Sequence, residues 1–222
     1  MTRSRMLALV LLFTAACAAR HARQPPDTSG FLDDYSLLRP GQPGDVAFVY
    51  RNPDAKWTSY DKVLIEPVTL WRSGRGTLAA VPEGDLLRLI DDLQTAVHRH
   101  LGDGFELVDR PQPGTMRIRL AITEARASDP VLDVLRGRGD GEATQGTGAL
   151  HPETRRFIEK AHIEGEIRDA GTDRLLAEGV DRRRRKGARP VDTWADVDRA
   201  LDFWAQRMCA RLEARTRGRA PQ

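Results

Sequence analysis

Two stretches of the chain place apolar residues three or four positions apart, which is the spacing of one helix face. The pattern predicts a first helix over residues 82–101, which Gly102 and Gly104 would end. It predicts a second helix after Thr193, because Asp196 stands where it completes a capping box. The apolar faces consist of Leu86, Ile90, Leu93, Val97 and Leu101 in the first helix, and of Val197, Leu201, Trp204, Met208 and Leu212 in the second. Both helices must therefore pack against another element.

Other stretches alternate apolar with polar residues, or form short β-prone runs, and these predict strands. The predicted strands cover residues 46–50, 62–71, 105–109 and 115–126, followed by a hairpin with its turn at 169–173. Strand 115–126 has the cleanest alternation, so we expect one face of it to contact water. Strand 62–71 contains Pro67, which cannot donate a ladder hydrogen bond and predicts an edge or a bulge.

This order of elements predicts an α+β fold in which a mostly antiparallel sheet of about five strands carries two helices on one face. The strand at 62–71, the first helix and the next strand are expected to form a right-handed parallel crossover. A glycine-rich connection spans residues 127–152. Residues 31–214 are predicted to form a single domain, and residues 215–222 a disordered tail.

The charge balance removes one class of partner. The 222 residues include 35 basic and 32 acidic side chains, a formal net charge of +3. Arg3 and Arg5 lie in a segment that we expect to be removed, which leaves a nearly neutral chain without a global field for phosphates. Aromatic residues make up only 6% of the chain, which argues against a stacking surface for single strands. Nucleic acid is therefore not an expected partner.

The N-terminus has the three-part plan of a secretory signal. Arg3 and Arg5 precede the apolar run Leu7–Phe13, and the small residues at 14–16 lead to Cys17. A cysteine in this position resembles a bacterial lipobox, whose cysteine is acylated with diacylglycerol after the preceding peptide is cut off. The pattern predicts a lipoprotein signal peptide at 1–16, lipidation of Cys17, and a flexible tether over 17–30.

Ala18, the residue after Cys17, bears on the processing and sorting of the chain. Ala18, rather than Asp, follows Cys17, and by resemblance to enterobacterial lipoproteins this favours the outer membrane. The alternative is ordinary cleavage after Ala18, which would discard the cysteine and release a soluble exported factor.

Few side chains form a pattern that points to chemistry. His98 and His100 stand on opposite sides of the first predicted helix, so they cannot hold one metal ion together. Cys209 lies on an apolar helix face and is interpreted as a buried, inert thiol. We predict no metal site, no cofactor and no catalytic residue.

One basic run could contact an anion. Its five residues could bind lipid phosphates, although a solvated strand end explains the same run. They are Arg182, Arg183, Arg184, Arg185 and Lys186.

Several motifs together resemble the domain-of-unknown-function 3313 family of bacterial lipoproteins. The first motif is Ser29-Gly30-Phe31-Leu32-x-Asp34-Tyr35-Ser36, and the second is Trp57-x-x-Tyr60-Asp61-Lys62-Val63-Leu64-Ile65-x-Pro67-Val68. The stretches Glu164–Leu176, Val180–Arg183 and Trp194–Trp204 also look like this family. The resemblance implies an exported lipoprotein, and it carries over no catalytic residue.

The function expected from the sequence is that of a lipid-anchored binding or scaffolding module on the periplasmic side of the outer membrane. Its expected partners are the membrane itself, through acylated Cys17, and an envelope protein. Two alternatives remain open, namely an envelope hydrolase that uses unrecognised carboxylates and a soluble exported factor.

Overall fold

The computed structural model describes residues 28–42, 44–71, 77–124, 148–182 and 191–218. Within these residues it contains three α-helices, α1 (Glu83–Gly102), α2 (Pro152–Lys160) and α3 (Trp194–Thr216). Three short 3₁₀ turns lie at Tyr35–Leu37, Trp57–Ser59 and Thr77–Ala80. The eight strands are β1 (Arg39–Pro40), β2 (Phe48–Arg51), β3 (Lys62–Ile65), β4 (Thr69–Trp71), β5 (Glu106–Leu107), β6 (Thr115–Glu124), β7 (Ala161–Asp169) and β8 (Leu175–Arg182).

The eight strands form one mixed sheet. Its strand order is β1-β2-β8-β7-β6-β3-β5, and β4 pairs with β6 beside β3. The neighbours from β1 to β6 run antiparallel, whereas β3 is parallel to β5 and β6, and β4 is parallel to β6. The sheet therefore has an antiparallel half and a parallel half.

The α+β class is confirmed, but the predicted sheet of about five mostly antiparallel strands with two helices is wrong. The sheet has eight strands, part of it is parallel, and a third helix, α2, is present in the described residues. The edge strand β5 falls within the predicted strand 105–109, whereas β1 has only two residues, too few to show a periodic pattern. Helix α2 has only nine residues, and its buried apolar residues are Phe157 and Ile158. Such short elements depend on their neighbours and leave little trace in the sequence.

Pro67 divides the predicted strand at 62–71 into β3 and β4. On one side of it, the Glu66 amide donates to the Ile118 carbonyl over 3.0 Å. On the other side, the Val68 amide donates to the Gln94 side chain on α1 over 2.7 Å. The backbone thus leaves the ladder at proline, as its missing N–H requires, and returns to β6 two residues later.

The first face of the sheet carries helices α1 and α3 and holds the larger core. Strand β6 contributes Met116, Ile118, Leu120 and Ile122, all at most 4% exposed. They pack with the predicted apolar faces of the helices, including Leu93 and Leu101 of α1 and Val197 and Leu212 of α3. The helix stripes read from the sequence thus meet the alternating strand residues here.

The second face of the sheet is also covered over part of its area, so only part of the expected water-facing side of strand 115–126 contacts water. The segment Ser29–Leu38 lies on this face, and its Phe31, Leu32 and Leu38 are at most 6% exposed. They cluster with Phe48, Ala121 and Val180 of the sheet. Several polar residues that alternate with the first-face core, among them Thr123, Glu164 and Glu166, are therefore enclosed between the sheet and this segment. Arg117 and Arg119 of β6 keep 30% of their side chains exposed.

The predicted capping box at the start of α3 is confirmed, and it allows a prediction. The Thr193 hydroxyl accepts from the Asp196 amide over 3.2 Å, and Asp196 Oδ2 accepts from the Thr193 amide over 3.0 Å. We expect Thr193→Ala to lower the free energy of unfolding by about 1 kcal/mol, measured by urea unfolding. Thr193→Ser keeps the hydroxyl, so this variant should retain most of the wild-type free energy of unfolding. An equal loss in both variants would contradict the capping role.

Candidate functional site

The enclosed polar residues on the second face form the candidate site. Alternation along β7 directs Glu164, Glu166 and Arg168 to this face, and Glu178 on β8 stands in register with Glu166. Glu164 is 0% exposed, Glu166 1% and Glu178 4%. Burial of ionised carboxylates requires compensating partners, so each glutamate has to be accounted for.

Tyr35 connects Glu164 to the segment Ser29–Leu38, which we call the covering segment. Its hydroxyl donates to Glu164 Oε2 over 2.5 Å, and the other carboxylate oxygen accepts from the Thr123 hydroxyl over 2.8 Å. The phenolic oxygen of Tyr35 accepts from the backbone amides of residues 30, 31 and 32 at 3.1, 3.2 and 3.3 Å. Burial raises the pKa of Tyr35, and its bond to Glu164 adds to the effect. One phenol therefore holds the turn of the segment against the sheet.

The local sequence explains why the segment folds back on itself at this point. Gly30 has a φ of +90°, a backbone conformation that residues other than glycine rarely adopt. Asp34 Oδ1 accepts from the Ser36 amide over 2.8 Å and caps the short 3₁₀ turn that carries Tyr35. Trp71 donates to the Ser29 carbonyl over 3.2 Å, and its ring contacts Phe31 edge-on with centroids 5.6 Å apart. The first sequence motif is thus the covering segment.

Glu166 is held between two arginines. Its Oε1 atom bonds to Arg119, and its Oε2 atom accepts from Arg168 over 3.1 Å. Arg168 also donates to Asp33 of the covering segment over 2.8 Å. The bond to Glu166 raises the pKa of Arg168, as expected for a cation beside a carboxylate. Glu166 is therefore paired as a buried carboxylate must be.

Glu178 differs from the other two glutamates. Among the described residues, its Oε1 atom has no hydrogen-bond partner. Burial raises its pKa to about 7, and the negative charges of Glu166 and Asp34 act in the same direction. This carboxyl group can therefore exchange a proton near neutral pH, as acid–base groups do. Since Glu178 is only 4% exposed, a substrate would reach it only after the residues covering it had moved.

The sequence pattern does not mark these glutamates as buried, because their alternation with Ile163 and Ile167 predicts that they lie on a water-facing side. A usable signal exists in Phe31, Leu32 and Leu38, since the two helices already cover the first face. Three buried side chains near the N-terminus need a second apolar surface, and only the other side of the sheet provides one.

Most of the site residues predicted from the sequence are not among the described residues. Cys17 and residues 183–186 fall outside the described part of the chain, and Arg182 is the last residue of β8. Most of the glycine-rich connection at 127–152 also falls outside it. Cys209 is 2% exposed, and burial raises its pKa to about 12, so its thiol stays protonated at neutral pH.

The two histidines of α1 take no part in this site. His100 Nε2 lies 2.7 Å from Asp202 of α3. Residues 28–218, apart from the undescribed gaps, contain no group of three or more histidine, cysteine or acidic side chains placed to hold a metal ion. In the same part of the chain, no helix combines the length and apolarity needed to cross a membrane.

Comparison with known proteins gives one positive finding. The model of a family described as protein of unknown function (DUF3313) matches residues 27–208, which include the covering segment, the whole sheet and most of α3. No curated protein and no solved structure matches the chain. The match spans most of the chain, including both motifs in which the resemblance was seen, and the protein therefore belongs to the DUF3313 family.

Proposed function

We propose that this protein is a lipid-anchored binding module of the bacterial envelope, held at the periplasmic face of the outer membrane by acylated Cys17. The observation that carries the proposal is the N-terminal sequence. Two arginines, the apolar run Leu7–Phe13 and small residues come directly before Cys17. Because several acyl chains anchor a protein stably, the domain would be confined to the membrane surface.

The start of the described domain is compatible with such a tether. Ser29 is buried and its carbonyl accepts from Trp71, so it is fixed to the domain. Eleven residues then separate Cys17 from Ser29. Fully extended, they would reach about 40 Å, which is more than a small domain needs to turn above a bilayer. Anchoring would thus raise the local concentration of the domain for partners in the envelope without fixing its orientation.

The side chains of the second face support binding rather than catalysis. Glu164 and Glu166 would be candidates for acid–base work, yet each is bonded to groups of the fold itself. Their partners Tyr35 and Arg168 connect the sheet to the covering segment. The carboxylates therefore have a sufficient role in holding this segment in place.

Metabolic labelling with a palmitate analogue tests the anchor. We expect the wild-type chain to be labelled and to sediment with the outer membrane, while Cys17→Ser accumulates unlabelled with its signal segment attached. Cys209→Ser is the matched control, because it removes the only other cysteine and should leave labelling unchanged. If wild type and Cys17→Ser are both unlabelled and soluble, the lipid anchor is wrong.

Cross-linking in intact envelopes tests the binding role. We expect the wild-type chain to be cross-linked to an envelope protein, and Cys17→Ser to lose this product because it is no longer concentrated at the membrane. Hydrolase turnover by the purified full chain, abolished by Glu178→Gln or by another acidic substitution, would instead favour the hydrolase alternative and contradict the proposal.

A further inference from the structure

Four arginines meet where α3 crosses the β2 end of the sheet. Arg207, Arg211 and Arg215 follow one another at intervals of four along α3, so they form one stripe on the helix. Arg51 is the last residue of β2, where alternation directs it to the first face of the sheet, the face that carries α3. Arg207 donates to the Gly44 carbonyl over 2.8 Å, which places the stripe against the loop before β2. We call these four residues the arginine cluster.

The cluster has fewer acidic partners than positive charges. Asp45 is bonded to Arg51, and its side chain is only 12% exposed. Asp181 accepts from the Trp204 ring nitrogen over 3.0 Å, and burial raises its pKa. Glu213 lies on the same helix but pairs with Arg217 over 2.8 Å. Two carboxylates thus face four guanidinium groups, and one of the two is partly engaged by a tryptophan.

The positive charges of the stripe and of Arg51 act on one another. Burial lowers the pKa of Arg211, and the neighbouring Arg207 and Arg51 lower it further. Burial also lowers the pKa of Arg215, with Arg51 acting in the same direction. Among the described residues, neither guanidinium is paired with a carboxylate within ion-pair distance. Partly desolvated like charges repel one another, and a bound anion would relieve that repulsion.

We propose that the arginine cluster binds the phosphate groups of anionic lipid head groups. Guanidinium groups suit this ligand, because each can form two parallel hydrogen bonds to phosphate oxygens. The choice of membrane phosphate over free phosphate rests on the proposed function, since the anchor would keep the cluster within tether length of a bilayer.

Vesicle sedimentation tests the cluster without depending on acylation. The full chain carrying Cys17→Ser is incubated with phosphatidylcholine vesicles, with or without about 30% phosphatidylglycerol, at about 50 and 200 mM salt. Residues 1–16 are present in every variant, so the quantity compared is the difference in binding between the two vesicle types. We expect binding to the anionic vesicles only, weakening as salt rises.

Two triple variants with the same change in charge separate the cluster from general charge. Arg207→Gln, Arg211→Gln and Arg215→Gln together should lower anionic-vesicle binding at least about tenfold. The control combines Arg99→Gln, Arg110→Gln and Arg199→Gln, whose wild-type side chains are 58%, 80% and 71% exposed. This control triple should lower anionic-vesicle binding less than about threefold. If the cluster triple fails to fold by urea unfolding, Arg215→Gln alone should still lower binding about threefold.

Three results would overturn the proposal. The first is an equal loss of anionic-vesicle binding in the two triple variants, and the second is equal binding of the parent Cys17→Ser chain to both vesicle types. The third is release of that parent chain from anionic vesicles by about 10 mM inorganic phosphate at constant ionic strength. The last would assign the cluster to free phosphate instead of lipid. Failure here is distinguishable from failure of the anchor, because the palmitate experiment uses intact Cys17 and the vesicle experiment removes it.

Discussion

Glu178→Gln is expected to stabilise the protein more at pH 8 than at pH 5, by about 2 kcal/mol. The carboxyl has a pKa of about 7 in the folded protein, against 4.5 for an ordinary glutamate. Between these values the folded state binds more protons than the unfolded state, so stability falls as pH rises. The cost is small below about pH 4.5 and complete above about pH 7, and a neutral glutamine avoids it.

The charges around Glu178 explain the sign of this effect. Burial is the largest cause of the raised pKa, followed by the negative charges of Glu166, Asp34 and Asp33. Only Arg168 acts in the opposite direction, and it is already bonded to Glu166 and Asp33. On β2, the residue in register with Glu178 is Tyr50, which brings no positive charge. Among the described residues, Arg168 therefore compensates an ionised Glu178 only in part.

Urea unfolding at intervals from pH 5 to pH 8 measures this prediction. Glu166→Gln is the matched control, because it makes the same change one strand away but removes the partner of Arg119 and Arg168. It should destabilise the protein throughout this range. If the stability curves of wild type and Glu178→Gln run parallel in pH, Glu178 is ionised in the folded state and the prediction is wrong.

Tyr35→Phe is expected to lower the free energy of unfolding by about 3 kcal/mol at pH 7. The change keeps the ring but removes the hydroxyl that donates to Glu164 and accepts from three backbone amides. Glu164 is fully buried, so loss of this donor leaves a carboxylate oxygen without compensation. The loss should also loosen the covering segment from the sheet.

Tyr60→Phe is the control for this variant. Tyr60 is 5% exposed, and its hydroxyl donates one bond of 2.7 Å to Asp169, which also accepts from Gly171 and Thr172. Its loss should cost about 1 kcal/mol. Hydrogen exchange provides a second measurement, since Tyr35→Phe should speed exchange at the amides of residues 30–32 and Tyr60→Phe should not. Equal losses of stability and unchanged exchange would show that Tyr35 does not hold the segment.

Local patterns were sufficient for the long elements. Helix α1 and the hairpin of β7 and β8 appear within a residue or two of the predicted bounds, because each has several periods of its own hydrophobic repeat. The capping box at Thr193 is equally local, since both partners lie within four residues. Pro67 predicted an edge position or a bulge for the same reason, but not the two separate strands that it produces.

The size and direction of the sheet depended on contacts that a linear pattern does not contain. The strand β1 is recognisable only from its pairing with β2, whereas the predicted strand 105–109 already contains β5. The predicted parallel crossover over α1 is confirmed by the pairing of β3 with β5, but the parallel pairing of β3 and β4 with β6 was not predicted. Alternation shows which side of the sheet a residue occupies, but it does not show which strand lies beside its own.

By itself, the sequence determined the α+β class, the two long helices, the hairpin and the membership of the DUF3313 family, and it is the source of the predicted lipid anchor at Cys17. Only the tertiary structure decided that the charged side of β7 is buried, that Glu178 titrates near neutral pH, and that Arg51 joins the arginines of α3. The physical reason is that burial and electrostatic shifts depend on distances in space. Tyr35 and Glu164, like Asp33 and Arg168, are bonded although they are more than 100 residues apart along the chain.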